Sequence, residues 1–154
     1  MNLILWRHAE AEDAVPDEGR ELTQKGRKQA ERMARWLREH LPRHYELLAA
    51  PAKRTRQTAD ALDVEYRVDR RLLPGADVAD YLAAIDWPEG PAKARGTVVL
   101  VAHQPALGRL ASLLMAGQEA DWSVKKGAVW WLSTRDREGD RQLMLRTAVS
   151  PDLL

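Results

Sequence analysis

The sequence predicts an α/β fold: a three-layer α/β/α sandwich whose sheet is mostly parallel. Two almost unbroken apolar stretches, Asn2–Trp6 and Thr97–Ala102, are typical of strands buried on both faces, as in parallel sheets. Stretches with the apolar spacing of helices alternate with short apolar stretches along the chain, as expected when helices cover a sheet. No repeat or linker interrupts this order, so we expect one domain over residues 1–154.

The first predicted strand runs directly into Arg7 and His8. In open α/β sheets, ligands bind beyond the carboxyl ends of the strands, which is where these two side chains would stand. A charged pair at this point is also common where a strand simply reaches solvent. The residues from Ala11 to Arg20 are acidic and aperiodic, and they predict a loop above this strand end.

A strong helix is predicted after this loop, with Thr23 as its N-cap and Pro42 marking its end. Its apolar residues follow at helical spacing: Ala30, Met33, Ala34, Leu37 and Leu41. Gly26 in the first turns costs about 1 kcal/mol relative to alanine, so we expect another part of the chain to approach closely there.

The second strand is predicted at Tyr45–Ala49, and a helix follows with Pro51 near its start. Lys53, Arg54 and Arg56 then lie in the first turns of that helix. Because a helix N-terminus already attracts anions, cations there do little for stability, and a phosphate-like ligand would explain them. An unoptimised surface turn is the alternative.

The middle of the chain predicts a short strand at Glu65–Val68 and a helix from an Asp77 cap to about Ile85. A loop with Pro88, Gly90, Pro91 and Gly96 leads to the strand at 97–102. This strand ends in His103, and a helix with Leu107, Leu110, Ala111 and Leu114 on one face follows until Gly117. Two strands, 127–134 and 142–147, are predicted to close the sheet as an antiparallel edge hairpin.

Composition excludes several kinds of site and location. Without cysteine, the chain has no disulfide, thiolate zinc site or cysteine nucleophile. The opening apolar stretch is too short to span a membrane and lacks the basic start of a signal peptide, so a cytoplasmic protein is expected.

Positive charge is concentrated in one part of the chain: residues 20–71 hold 14 Lys/Arg against 8 Asp/Glu. This excess is compatible with an anionic substrate or an acidic partner surface. Because acidic residues are interleaved and no aromatic pattern accompanies the cations, a solvated helical surface is favoured over a nucleic-acid site.

If Arg7, His8, Arg54 and His103 converge over the sheet, two guanidiniums offer forked donors that match a tetrahedral oxyanion. One neutral imidazole could attack phosphorus, and the other could donate a hydrogen bond to the phosphoryl oxygens. Phosphoryl transfer depends mainly on positioning and charge neutralisation, which cations supply without a metal. A zinc site from His8, Glu10, Asp13 and His103 is an alternative, but the two arginines would repel the cation.

Four sequence motifs in order resemble the histidine phosphatase superfamily, the group that contains the cofactor-dependent phosphoglycerate mutases. They are Arg7-His8-Ala9, Leu22-Thr23-x-x-Gly26 with Gln29-Ala30, Pro51-x-x-Arg54-x-x-Gln57-Thr58, and Ala102-His103. The short chain and its Arg-His-Ala-Glu-Ala opening look most similar to SixA-type phosphohistidine phosphatases. The resemblance covers nearly the whole chain and implies a phosphoglycerate mutase-like fold.

Carried over by position, the resemblance implies that His8 is the nucleophile and is phosphorylated transiently. Arg7, Arg54 and His103 would complete the phosphate pocket, and Arg20 is a further candidate for a phosphate or substrate contact. No metal or other cofactor is implied. The expected partner is a phosphorylated protein carrying phosphohistidine, or a small phosphorylated substrate, with no nucleic acid and no membrane.

The proton donor is the point where the chain departs from larger family members, which carry an acidic donor in a longer segment after the second helix. Asp77, Asp80 and Glu10 are the candidates here. An imidazole leaving group needs a general acid much less than an alkoxide does, so this departure is compatible with phosphohistidine. The alternatives are a phosphatase for small phosphomonoesters and a non-catalytic sensor that binds a phosphorylated ligand.

Overall fold

The computed structural model describes all 154 residues, with six strands and four helices of seven or more residues. The strands are β1 (Asn2–Arg7), β2 (Glu46–Ala49), β3 (Arg67–Val68), β4 (Thr97–Ala102), β5 (Val129–Arg137) and β6 (Asp140–Val149). The helices are α1 (Gln24–His40), α2 (Lys53–Asp60), α3 (Val78–Ala84) and α4 (Ala106–Ala116). This order confirms the predicted α/β class.

All six strands form one sheet in the order β3-β2-β4-β1-β5-β6. The first four in that order run parallel, while β5 pairs with β1 in the antiparallel sense and β6 continues the hairpin at the edge. The central pair is β1 with β4, in a register that sets Arg7 beside Ala102. The residues that follow these two strands therefore emerge side by side at one edge of the sheet.

Side-chain alternation along β1 builds an apolar core on each face of the sheet. Leu3 and Leu5 pack in a cluster that includes residues of α3 and α4, whereas Ile4 and Trp6 pack in a cluster that includes residues of α1 and α2. The strand is apolar throughout because both of its faces are covered, as in other parallel sheets. The three predicted layers are therefore present.

The start of α1 explains why glycine stands at position 26. The Thr23 side chain accepts a hydrogen bond from the Gly26 N–H at 2.9 Å, which confirms the predicted N-cap. A Cβ on Gly26 would lie 2.0 Å from the Glu10 carbonyl oxygen. The expected close approach is thus made by the segment that follows His8, and α1 begins directly against it.

The C-terminal hairpin is antiparallel and lies at the edge, as predicted, but its strands are longer than their apolar parts. Asp140 belongs to β6 and pairs with Arg137, rather than lying in the turn. The ladder of backbone hydrogen bonds holds these polar residues in strands although they bury no apolar surface, which is why hydrophobic spacing did not locate the strand ends.

The longest helix, α1, has 17 residues and a strongly polar outer face. None of the helices combines the length and the apolar composition needed to cross a bilayer.

Candidate active site

Two histidines lie next to each other at the carboxyl ends of β1 and β4. His8 follows β1, His103 follows β4, and the His8 N–H donates to the Ala102 carbonyl at 3.2 Å. Their ring centroids are 5.5 Å apart with an angle of 60° between the planes. Both side chains are buried. The parallel register thus brings together two residues that are 95 positions apart in the sequence.

The tautomer of His8 follows from its hydrogen bond. Its Nδ1 lies 2.8 Å from the Ala9 carbonyl oxygen. A carbonyl only accepts hydrogen bonds, so Nδ1 must carry the proton, and the neutral ring keeps its lone pair on Nε2. The same backbone contact fixes the ring orientation. His8 is therefore held with a nucleophilic nitrogen away from its own main chain.

Arg54 and Arg7 complete the cluster predicted from the sequence. Arg54, one residue into α2, is almost fully buried, and its Nη2 lies 3.4 Å from the Nδ1 of His103. With Nδ1 accepting from this guanidinium, the proton of neutral His103 is on Nε2. Arg7 ends β1 and donates from Nη1 to the Val124 carbonyl at 2.9 Å.

Burial and positive charge keep both imidazoles neutral. Burial is the largest cause that lowers the pKa of His8 to about 4, with Arg54, Arg7 and Arg20 acting in the same direction and the Ala9 hydrogen bond opposing them. Burial also lowers the pKa of His103 to about 3, with Arg54 as the next cause. A neutral imidazole is the form that can act as a nucleophile.

We expect the His8 and His103 imidazoles to titrate well below the ordinary histidine pKa of 6.5. Side-chain nitrogen NMR should show both rings still neutral at about pH 5.5, with assignments from His8→Asn and His103→Asn. The unfolded chain binds these protons more readily than the folded one, so the unfolding free energy should fall as pH drops from about 6.5 toward 4. Midpoints near 6.5 for these two rings would contradict this expectation.

Side chains of three motif residues accept hydrogen bonds from backbone N–H groups in the loops near His8. Three N–H groups of the surrounding loops are satisfied in this way, at 2.8–3.0 Å. The pairs are Ala9 N–H to Thr58 Oγ1, Glu10 N–H to Gln29 Oε1, and Leu22 N–H to Gln57 Oε1. These motif residues therefore position backbone around the histidine.

Asp17 also belongs to this site, although the sequence does not predict it there. Arg54 donates from Nη1 to the Asp17 carbonyl at 2.8 Å and from Nη2 to its Oδ2 at 3.1 Å. Arg20 donates from Nη1 to the other carboxylate oxygen of Asp17 at 3.2 Å, and from Nε to the Glu12 carbonyl at 2.7 Å. Asp17 comes from the aperiodic loop 11–20, where the only sequence signal was its spacing of three residues from Arg20.

The pKa of Asp17 reflects these two guanidiniums. Its slight desolvation acts to raise the pKa, but hydrogen bonds from Arg20 and Arg54 outweigh this and hold the pKa of the carboxyl below its usual value. Asp17 is therefore ionised at neutral pH.

The three proton-donor candidates make no hydrogen bond to the cluster of Arg7, His8, Arg54 and His103. Glu10 accepts from the Thr23 hydroxyl at 2.8 Å. Asp77 and Asp80 form a reciprocal capping box at the start of α3, which confirms the predicted Asp77 cap. Helix α3 still reaches the site through Tyr81, whose buried hydroxyl accepts from the His103 N–H at 3.4 Å.

The alternative zinc set is not assembled. Nowhere does the structure bring three or more histidine or carboxylate side chains into a group that could hold a metal ion. Of the four residues considered for zinc, Asp13 lies in the exposed loop, 3.8 Å from Arg20. The site is instead rich in cationic donors, a set that suits an anion.

A family model described as histidine phosphatase superfamily (branch 1) matches residues 3–75. An uncharacterized protein from Picosynechococcus sp. (strain ATCC 27264 / PCC 7002 / PR-6) is 34% identical over 128 residues, covering 77% of this chain and 75% of that protein.

Solved structures are similar over nearly the entire chain. The "putative phosphohistidine phosphatase SixA" from Nakamurella multipartitia is 30% identical with a TM-score of 0.77, covering 97% of this chain and 95% of that one. A mycobacterial glucosyl-3-phosphoglycerate phosphatase is 22% identical with a TM-score of 0.67, covering 95% of this chain and 97% of that one. At this lower identity, the likeness concerns the fold alone.

Proposed function

The chain belongs to the histidine phosphatase superfamily, and from this we propose that it is a metal-independent phosphatase that acts on protein phosphohistidine through a phosphorylated His8. Its expected location is the cytoplasm, and its expected partner is a protein that carries phosphohistidine.

One observation carries the proposal: three buried donor nitrogens of the cluster have no hydrogen-bond partner. They are Arg7 Nε, Arg54 Nε and His103 Nε2. Leaving a buried donor unpaired costs about 1–3 kcal/mol, so folded proteins rarely tolerate three together. A tetrahedral phosphoryl group has the acceptor oxygens and the negative charge that these donors require.

His8 would perform the first step. Its Nε2 lone pair attacks phosphorus, a P–N bond to His8 forms, and the bond between phosphorus and the leaving group breaks with its electron pair on the leaving group. Water then attacks the same phosphorus, the P–N bond to His8 breaks, and orthophosphate leaves while His8 recovers its lone pair. The Ala9 hydrogen bond on Nδ1 keeps Nε2 directed to this role throughout.

The arginines and His103 would stabilise the charge that develops on the phosphoryl oxygens. In phosphoryl transfer the transition state spreads charge over three equatorial oxygens, and preformed donors stabilise it without rearranging. Arg7 and Arg54 provide this charge near the two rings, where both lower the histidine pKa values.

The ionised state of the acid that contacts the cluster supports phosphohistidine over a phosphomonoester as the substrate. Asp17 contacts the cluster through Arg54, but its lowered pKa makes it a poor proton donor at neutral pH. A phosphomonoester must expel an alkoxide and gains from such a donor. Phosphohistidine expels an imidazole that is already protonated on its other nitrogen, so we favour this substrate.

A comparison of substrates tests the proposal. We expect the protein to hydrolyse a histidine-phosphorylated protein in excess EDTA, at a rate unchanged by the chelator, with a kcat/KM well above that for sugar phosphates and nucleotides. Loss of activity on chelation would contradict metal independence. A strong preference for small esters would instead favour the phosphomonoesterase alternative.

A further inference from the structure

We propose that Asp17 is a positioning residue: it holds one edge of the Arg54 guanidinium so that the other edge faces the phosphoryl group. This inference rests on the proposed function, because it assigns a role within the same anion pocket. Asp17 lies outside the recognised motifs, in the aperiodic loop 11–20.

The geometry of the guanidinium carries the argument. A guanidinium has five N–H groups in a planar fork, with Nη1 and Nη2 at its end and Nε and Nη2 along its side. Asp17 binds the end of the Arg54 fork: its backbone carbonyl accepts from Nη1, and its carboxylate accepts from Nη2. On the side of the fork, Nη2 also donates to His103 Nδ1 at 3.4 Å, while the buried Nε has no partner and remains for a ligand.

Arg20 in turn fixes Asp17. It binds the carboxylate oxygen that Arg54 does not use, and its Nε holds the same loop through the Glu12 carbonyl. The four groups form a continuous series from the exposed loop to the buried ring: Arg20, Asp17, Arg54 and His103. The loop therefore sets the direction of a buried arginine.

Positioning and simple charge repulsion predict opposite results when Asp17 is removed. A carboxylate beside an anion pocket repels the anion, so deleting it should tighten binding. Asp17 is more than half exposed, so water and salt weaken this repulsion, whereas Arg54 is almost fully buried. We therefore expect the loss of orientation to dominate, and Asp17→Ala to weaken anion binding.

Tungstate serves as the probe because it is a tetrahedral oxyanion like phosphate. The test measures its affinity by calorimetry, together with kcat/KM, for the intact chain and three variants. Asp17→Ala should weaken tungstate binding on the order of tenfold, and Asp17→Asn should recover most of it because an amide oxygen still accepts from Nη2. Asp13→Ala is the matched control: this exposed carboxylate lies in the same loop, near Arg20, and does not contact Arg54. It should match the wild type.

Tungstate binding involves no proton transfer, so it separates positioning from acid–base chemistry. Tighter or unchanged binding in Asp17→Ala would overturn the inference, as would an Asp17→Asn variant as weak as Asp17→Ala. A lowered kcat/KM with unchanged tungstate affinity would also overturn it, since that pattern belongs to a proton-transfer residue. A wild-type protein that does not bind tungstate would overturn the proposed function together with this inference.

Discussion

His8→Ala is expected to abolish phosphoenzyme formation and to lower kcat/KM on phosphohistidine protein by at least about 10⁴-fold. The reason is that the variant removes the Nε2 lone pair that the Ala9 contact directs away from the main chain. Rapid-quench experiments with a labelled phosphoryl donor should trap an acid-labile phosphohistidine on the wild-type chain and none on the variant.

Two further variants sharpen this experiment. His103→Ala should slow the reaction but still allow label to accumulate on His8, because His103 is proposed to stabilise charge without bonding to phosphorus. His44→Ala changes an exposed histidine and should behave like the wild type. Label on His8→Ala would place the nucleophile elsewhere. A wild-type chain that binds phosphohistidine but never becomes labelled would instead indicate a sensor.

Arg54→Lys is expected to lower kcat/KM on the order of 100-fold although it keeps the positive charge. Lysine offers a single ammonium in place of the planar fork, so it cannot hold Asp17 at one edge and a phosphoryl group at the other. Steady-state kinetics on phosphohistidine protein measures this effect, and thermal unfolding checks that the variant is folded.

Arg56→Lys is the matched control for that variant. Arg56 lies on the same helix, two residues further on, but its side chain is exposed and donates to the Pro51 carbonyl. It should retain nearly full activity. Equal losses in the two variants would mean that the charge of α2, rather than the fork of Arg54, matters for the reaction.

The four residues of the predicted pocket could be found from the sequence because Arg7, His8 and His103 lie at strand ends and Arg54 lies in the first turn of a helix. Two buried strands stopping at His8 and His103 are visible as apolar stretches, and the cations at the start of α2 stood out as poorly placed for helix stability. The structure places the four side chains together, while their catalytic roles stay predictions for the experiments above.

The three proton-donor candidates bind local partners and make no hydrogen bond to the cluster. Asp77 was expected to cap a helix, and it does, by a capping box that also uses Asp80. Glu10 is the third candidate, and its carboxylate accepts a hydrogen bond from the Thr23 hydroxyl. The acid that contacts the cluster is Asp17, whose loop has no periodicity and whose partner Arg54 is 37 positions away.

The sequence by itself determined the order of strands and helices and the residues that follow β1 and β4, since burial on one or two faces produces a periodic apolar pattern in the chain. Only the tertiary structure decided which of these residues contact one another and through which atoms. The register of β1 with β4 sets the two histidines side by side, the Ala9 contact selects the tautomer of His8, and the loop 11–20 folds back onto Arg54. These are hydrogen bonds and pairings between distant or aperiodic segments, and they depend on distances and angles that hydrophobic spacing does not encode.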